Sequence, residues 1–167
     1  MNQSLFKRIL YATDMSDNAV VAAHYAMRLA HDNKAHLTIV NVATDMVEEM
    51  SMNMRYDLAS HCDKGFLDTI NQDAIDKNRK ALLDRIHTVY TEIKNTIPDC
   101  EVEPEVSIRV GNAAEQIVLE TETDHSDLIV VGARGHSLLD EILVGSVARG
   151  VVKRSHVPVM TIPLANM

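Results

Sequence analysis

Leu128-Ile129-Val130-Val131-Gly132-Ala133-Arg134-Gly135-His136, followed further on by Gly145-Ser146-Val147, decides how this chain folds. The apolar, β-branched run from Leu128 to Val131 has the length and composition of a parallel strand buried on both faces. Gly132 and Gly135 let the chain turn sharply after it and let a ligand approach the backbone closely, because no Cβ stands in the way. Val147, Ala148, Val151 and Val152 then recur with helical spacing, and Ser146 is placed to cap that helix, whose first N–H groups have no internal partner. Free helix amides, a serine hydroxyl and two close-approach glycines make an anion cradle for which a phosphate chain is the natural guest. Taken alone, the Gly132/Gly135 pair also reads as simple turn chemistry. The spacing is neither a P-loop, since no Lys follows Gly145, nor a dinucleotide fingerprint, since G-x-G-x-x-G is absent.

Upstream the same alternation of elements repeats. Residues 6–13 read as a first strand ending at Asp14. Ser16 is placed to cap a helix in which Ala19, Ala22, Ala23, Ala26 and Ala30 share one side. Residues 36–42 form a second, nearly continuous apolar strand. Val106, Ile108 and Val110 alternate with polar residues in a third strand, at a less buried place in the sheet. Asn112, three residues before Glu115, opens a helix over 113–122. Strands alternating with helices call for a parallel sheet covered on both faces. Asp14 then lies at the carboxyl end of a strand, on the rim where open α/β sheets bind ligands. Its other reading is that it serves the amides of the following turn.

The 167 residues, 46% of them hydrophobic, suit a single domain over 1–167. A formal net charge of -8 argues against a nucleic-acid or acidic-membrane surface, either of which needs a basic face. Cys62 and Cys100 form no C-x-x-C pair, no secretory leader is legible, and no apolar run has membrane-spanning length. The expected location is the cytoplasm.

Residues 43–76 are the least regular part. They are acidic and place Met46, Met50 and Met54 at helical spacing, which reads either as a Met-bearing lid or docking surface or as an insertion, around 43–66, with one short helix laid over the domain. His61-Cys62-Asp63 holds metal-type side chains, but adjacent side chains diverge and no second ligand pair stands at metal spacing. A long helix follows over 67–94, with Ile70, Ala74, Ala81, Leu82, Arg85, Ile86, Val89 and Ile93 along one stripe. Residues 137–144 read as a short helical turn whose Leu138, Leu139, Ile142 and Leu143 pack down into the core.

The segment from Gly132 to Pro163 resembles the signature of the universal stress protein family, whose ATP-binding members carry G-x-x-G, nine residues, then G-[ST]. Here these are Gly132, Gly135, Gly145 and Ser146, with a family-like ending at Val157-Pro158-Val159. Ile9-Leu10-Tyr11-Ala12-Thr13-Asp14 is similar to the family's first strand. The resemblance implies a Rossmann-like, open, parallel five-stranded sheet of order 3-2-1-4-5 with helices on both faces. It implies ATP as the ligand, with Mg2+ carried on the phosphates, Asp14 against the nucleoside and the backbone near Val42 against the adenine. The phosphates would fall to Gly132, Gly135, Gly145, Ser146 and Val147, with Arg134 and His136 inside the loop; Arg134 either pairs with phosphate or is solvated. The implied role is a nucleotide-dependent stress-response regulator or sensor. The alternatives are a slow ATP-hydrolysing enzyme, in which Asp14 or His136 orients water, and an interaction protein whose cradle stays empty. The resemblance also implies a homodimer through the final strand, 157–162, where Val157, Val159, Met160 and Ile162 are apolar on a sheet edge and the missing N–H of Pro158 is expected to point away from the neighbouring strand.

Overall fold

A computed structural model describes residues 4–16, 19–97, 99–133 and 144–163. Five strands, β1 (Arg8–Ala12), β2 (His36–Ala43), β3 (Glu105–Val110), β4 (Leu128–Gly132) and β5 (Val159–Ile162), pair in parallel in the order β3-β2-β1-β4-β5. This is the implied order. Crossovers in a parallel sheet are right-handed. The chain therefore lays α1 (Ala19–Asn33) and α4 (Lys64–Lys94) on one face, and α5 (Ala113–Asp124) and α6 (Ser146–Arg154) on the other.

The period-two alternation of strands sorts the core accordingly. Ile9, Tyr11, Leu37, Ile39, Leu128 and Val130 pack with the alanines of α1 and with Leu82, Val89 and Ile93 of α4. Leu10, Ala12, Val40 and Ile129 pack with Ala114 and Ile117 of α5 and Val151 of α6. Fully burying one such branched side chain contributes about 1.5–3 kcal/mol. An exposed helical ion pair such as Arg28–Asp32, at 2.9 Å, contributes only about 0.3–0.5 kcal/mol, so apolar contact is what holds the helices to the sheet. Gly150 reflects how closely α5 and α6 approach, since a Cβ built there lies 2.7 Å from the Ala114 Cβ.

The region after β2 departs from the sequence reading. It holds two short helices, α2 (Met46–Met54) and α3 (Leu58–His61), in place of one. The residues that α2 and α3 bury are Val47 and Leu58, whereas Met46 and Met50 are half-buried and Met54 is exposed. Asp45, Asp57 and Asp63 each accept amide hydrogens at a helix start. The Asp63 carboxylate receives Gly65 N and Phe66 N, which is why α4 begins at Lys64 and not at residue 67. Asn71 ties α4 to α2, accepting from Met46 N at 3.2 Å.

Two strands are shorter than expected. β1 starts at Arg8 and β5 at Val159. The Pro158 carbonyl accepts from Ile129 N at 3.0 Å, so Pro158 faces β4, opposite to the expected direction; it costs no ladder bond because pairing begins one residue later.

Candidate functional site

The order of strands places the reversal of the winding between β1 and β4, which are hydrogen-bonded neighbours with Ala12 opposite Val131. Ligands of open α/β sheets bind outside the carboxyl ends of strands at such a switch point. Asp14 follows β1 and Gly132 ends β4, so the topology sets both on one rim. Val42 lies near the same end of β2, inside the strand and not just past it, since pairing extends to Ala43 opposite Val110.

The start of α6 is brought back to this rim by one short bond, in which Gly145 N donates to Ala133 O at 2.6 Å. Gly145, not Ser146, is the cap residue of α6, with φ -64° and ψ 166°, and no side chain caps the helix. Ser146 is instead the first helical residue and is exposed, as is Val147. The one-residue shift removes the capping role assigned to Ser146 and leaves its hydroxyl beside the helix amides. The first amides of an α-helix lack intrahelical acceptors and sit at the positive end of its dipole. Gly132, Gly145, Ser146 and Val147 are thus gathered at one place, whereas Arg134, Gly135 and His136 lie outside the described residues, as do Leu138, Leu139, Ile142 and Leu143.

Asp14 is held by its own turn. Its Oδ1 accepts from Ser16 N at 3.0 Å and from the Ser16 hydroxyl at 2.6 Å, so Ser16 positions the carboxylate, while the Ser16 carbonyl accepts from Ala19 N. The loop is also anchored from below. Asn41, 4% exposed, donates from Nδ2 to Thr13 O at 2.9 Å and accepts from Asn78 Nδ2 at 3.0 Å. A relay thus runs from α4 through β2 to the residue before Asp14. Sequence reasoning misses it, although a polar residue inside the apolar run of β2 is a signal, because buried amides are hydrogen-bonded. Tyr11 adds a third tie by donating its hydroxyl to Ala19 O at 2.6 Å. Burial pushes the Tyr11 phenol up to about 12, with the Asp14 charge adding to the rise and the Thr13 hydrogen bond and the Arg85 charge opposing it.

At the opposite end of the sheet His36, Glu105 and Asp124 bring metal-type atoms within 4.8 Å of one another. The Asp124 carboxylate there already accepts from the Arg8 guanidinium at 2.5 Å and from the Ser126 hydroxyl. With Asp124 already paired to Arg8 and His36 3.2 Å from Glu105, the group reads as polar pairing at the strand starts.

A family model described as the Universal stress protein family matches residues 5–163. Universal stress protein MJ0577 of Methanocaldococcus jannaschii is 25% identical over 162 residues, covering 97% of this chain and 98% of its own length. Universal stress protein YxiE of Bacillus subtilis is 28% identical over 159 residues, covering 95% and 99%. Among solved structures, that of MJ0577 superposes with a TM-score of 0.67 at 24% identity, over 98% of this chain and 99% of the other. A universal stress protein from Archaeoglobus fulgidus in complex with dAMP superposes with a TM-score of 0.60 at 18% identity, over 95% and 98%. A universal stress protein in complex with cAMP does so with a TM-score of 0.64 at 21% identity, over 95% and 98%. At these identities the likeness between structures carries the fold.

Proposed function

This chain belongs to the universal stress protein family, and on that premise we propose that it binds ATP at the β1/β4 rim and acts as a nucleotide-dependent stress-response regulator or sensor in the cytoplasm. The observation that carries this reading is the Gly145–Ala133 bond, which presents the uncapped amides of α6 beside the end of β4 and next to the strand that leads into Asp14. Backbone amides and the Ser146 hydroxyl supply donors for a phosphate chain. The positioned Asp14 offers an acceptor for the nucleoside, and Val42 lines the adenine side. Relatives of the same fold in complex with cAMP and dAMP support an adenine nucleotide as the class of ligand. Mg2+ would ride on the phosphates, with Gly132, Arg134, Gly135 and His136 completing the loop around them.

Binding takes precedence over turnover because Asp14 is engaged by Ser16 through Oδ1, an arrangement that fixes an acceptor rather than freeing a general base. A homodimer through β5 is part of the same proposal. The deciding experiment is mass spectrometry of the small molecule released on denaturing the purified protein, together with calorimetry of ATP binding. ATP is expected at roughly micromolar affinity, about 8 kcal/mol. Neither a released nucleotide nor measurable ATP binding would remove the reading.

A further inference from the structure

The surfaces of α1 and α4 that look toward each other do not close. On α1, Ala22, Ala26 and Ala30 are turned to the sheet and fully buried, which leaves Ala19, Ala23 and Met27, one turn apart, to meet α4. Two of those three are alanine. Leu82, Ile86, Val89 and Ile93 of α4 line the other wall, and Tyr11 and Ile39 of the sheet form the floor. Small side chains opposite branched ones leave a slot. At a helical rise of about 1.5 Å per residue it runs roughly 16 Å from Leu82 to Ile93. We propose that this slot is a second ligand site, on the α1/α4 side of the loop that carries Asp14 and away from the amides of α6, for an uncharged, elongated and largely hydrocarbon small molecule.

Size and lining select that class. The centre of a water-sized sphere can roam about 40 Å³ of the slot, whereas a single water needs only about 10–15 Å³. Divided over the length that Leu82 and Ile93 span, that volume suits a methylene thread better than a ring system. Its largely apolar walls favour an apolar guest, whose burial removes hydrocarbon surface from water.

The polar groups that reach the slot are committed within the protein. The Tyr11 hydroxyl donates to Ala19 O, the Ser16 hydroxyl donates to Asp14, and the Thr13 hydroxyl accepts from Met15 N. Arg85 and Tyr90 have interaction partners of their own. A carboxylate or phosphate head drawn inside would lose its water and meet only Arg85, whose guanidinium already has an interaction partner. A hydrocarbon chain bearing at most a hydroxyl suffers no such loss. The slot borders the nucleotide rim through Thr13, Met15 and Ser16, and its test uses no nucleotide, so failure of the slot and failure of the ATP reading are told apart.

The test is methyl NMR on the full-length protein titrated with 1-decanol, and in parallel with decanoate, which has the same chain with a charged head. Saturable 1-decanol binding is expected, with intermolecular NOEs to the methyls of Val20, Ile86 and Val89 and at least tenfold weaker binding of decanoate. Ala23→Leu fills the slot from the α1 side and should reduce 1-decanol affinity at least tenfold. Ala19→Leu, at the more accessible upper end, serves the same purpose if Ala23→Leu does not fold. No saturable binding, contacts confined to the exposed Met52, Met54 and Phe66, equal binding of decanoate, or unchanged affinity in a folded filling variant would each overturn the proposal.

Discussion

The amide of Gly145 donates to the carbonyl of Ala133 across 2.6 Å, while the amide of Ala133 donates to the carbonyl of Ile162 across 2.7 Å. Ala133, 6% exposed, is thereby pinned between the last strand and the last helix. The departure point of the loop after β4 and its return point before α6 coincide. The rim is therefore set by the sheet and α6.

Ser146→Ala tests that frame. The serine is exposed and caps nothing, so its loss should leave the unfolding midpoint unchanged. A hydrogen bond to a charged phosphate contributes about 1.5–3 kcal/mol, so ATP affinity should fall by roughly tenfold to a hundredfold in calorimetry. Unchanged affinity would detach Ser146 from the phosphates.

The Asn78–Asn41–Thr13 relay predicts a different pattern. Asn78→Ala leaves the buried Asn41 oxygen without its donor, at a cost of about 1–3 kcal/mol. Both stability and nucleotide affinity should fall, because the loop that carries Asp14 loses its anchor. Urea denaturation with ATP calorimetry on the same variant reads both. A variant with lowered stability and wild-type affinity would show that the relay serves the fold alone.

Much of the rim is legible in the amino-acid sequence. Strand 128–131, Gly132 at its end and the helical period after Ser146 are strong local signals, and Asp14 at a strand end follows from alternation. Local pattern does not encode the rest. Serine is favoured as a helix cap, which points to Ser146, yet the tertiary bond to Ala133 makes Gly145 the cap residue. The acidic, Met-bearing pattern of 43–76 reads as a lid or docking surface or as an insertion with one short helix, whereas Asp45, Asp57 and Asp63 are helix caps that split the region into α2, α3 and the start of α4. The methionine spacing is helical, but the buried side of α2 is Val47, because burial depends on where α4 lies. Asn41 disappears into an apolar run because its two partners are distant in sequence.

Tyr11 makes stability fall with alkali. Its phenol is pushed up to about 12 by burial, against about 10 in an unfolded chain. The folded state therefore holds a proton that the unfolded state releases, and stability present below pH 10 is lost as pH rises from 10 through 12. The shift of about two units corresponds to a loss on the order of 2–3 kcal/mol. Tyr11→Phe should abolish this component of the pH dependence and cost about 0.5–1.5 kcal/mol at neutral pH for the bond to Ala19. Denaturant midpoints of both proteins across that range provide the check, and parallel curves would refute the assignment.

Gly150→Ala sets two effects against each other. Alanine in a helix interior gains about 1 kcal/mol over glycine, while overpacking a close contact costs about 1–3 kcal/mol. The new Cβ would stand 2.7 Å from the Ala114 Cβ, a stiff atom on a neighbouring helix, so overpacking wins. A lower thermal midpoint is expected, and the double variant Gly150→Ala with Ala114→Gly should recover part of it. A stabilised single variant would mean that α5 and α6 separate freely.

The proposed homodimer depends on backbone more than on the apolar side chains of β5. Ile162 is 4% exposed and, with Met160, packs in the core shared with α1 and α4, while Val159 packs on the other face. The apolar character of β5 is therefore explained largely within one chain, and charges placed at Ile162 would unfold it. The carbonyls of Pro158 and Ile162 accept from β4 and the residue after it, and N–H and C=O of one residue point to the same side of a parallel strand. Val159 and Thr161 accordingly turn their backbone groups outward, where an unpaired edge invites a second copy. Thr161→Pro removes one outward N–H while sparing every bond to β4, a substitution that edge strands tolerate. Sedimentation at tens of micromolar is expected to give a dimer for the unaltered protein and a cooperatively folded monomer for Thr161→Pro. A monomer in the unaltered protein would dismiss the pairing, and a persistent dimer in the variant would place the interface elsewhere.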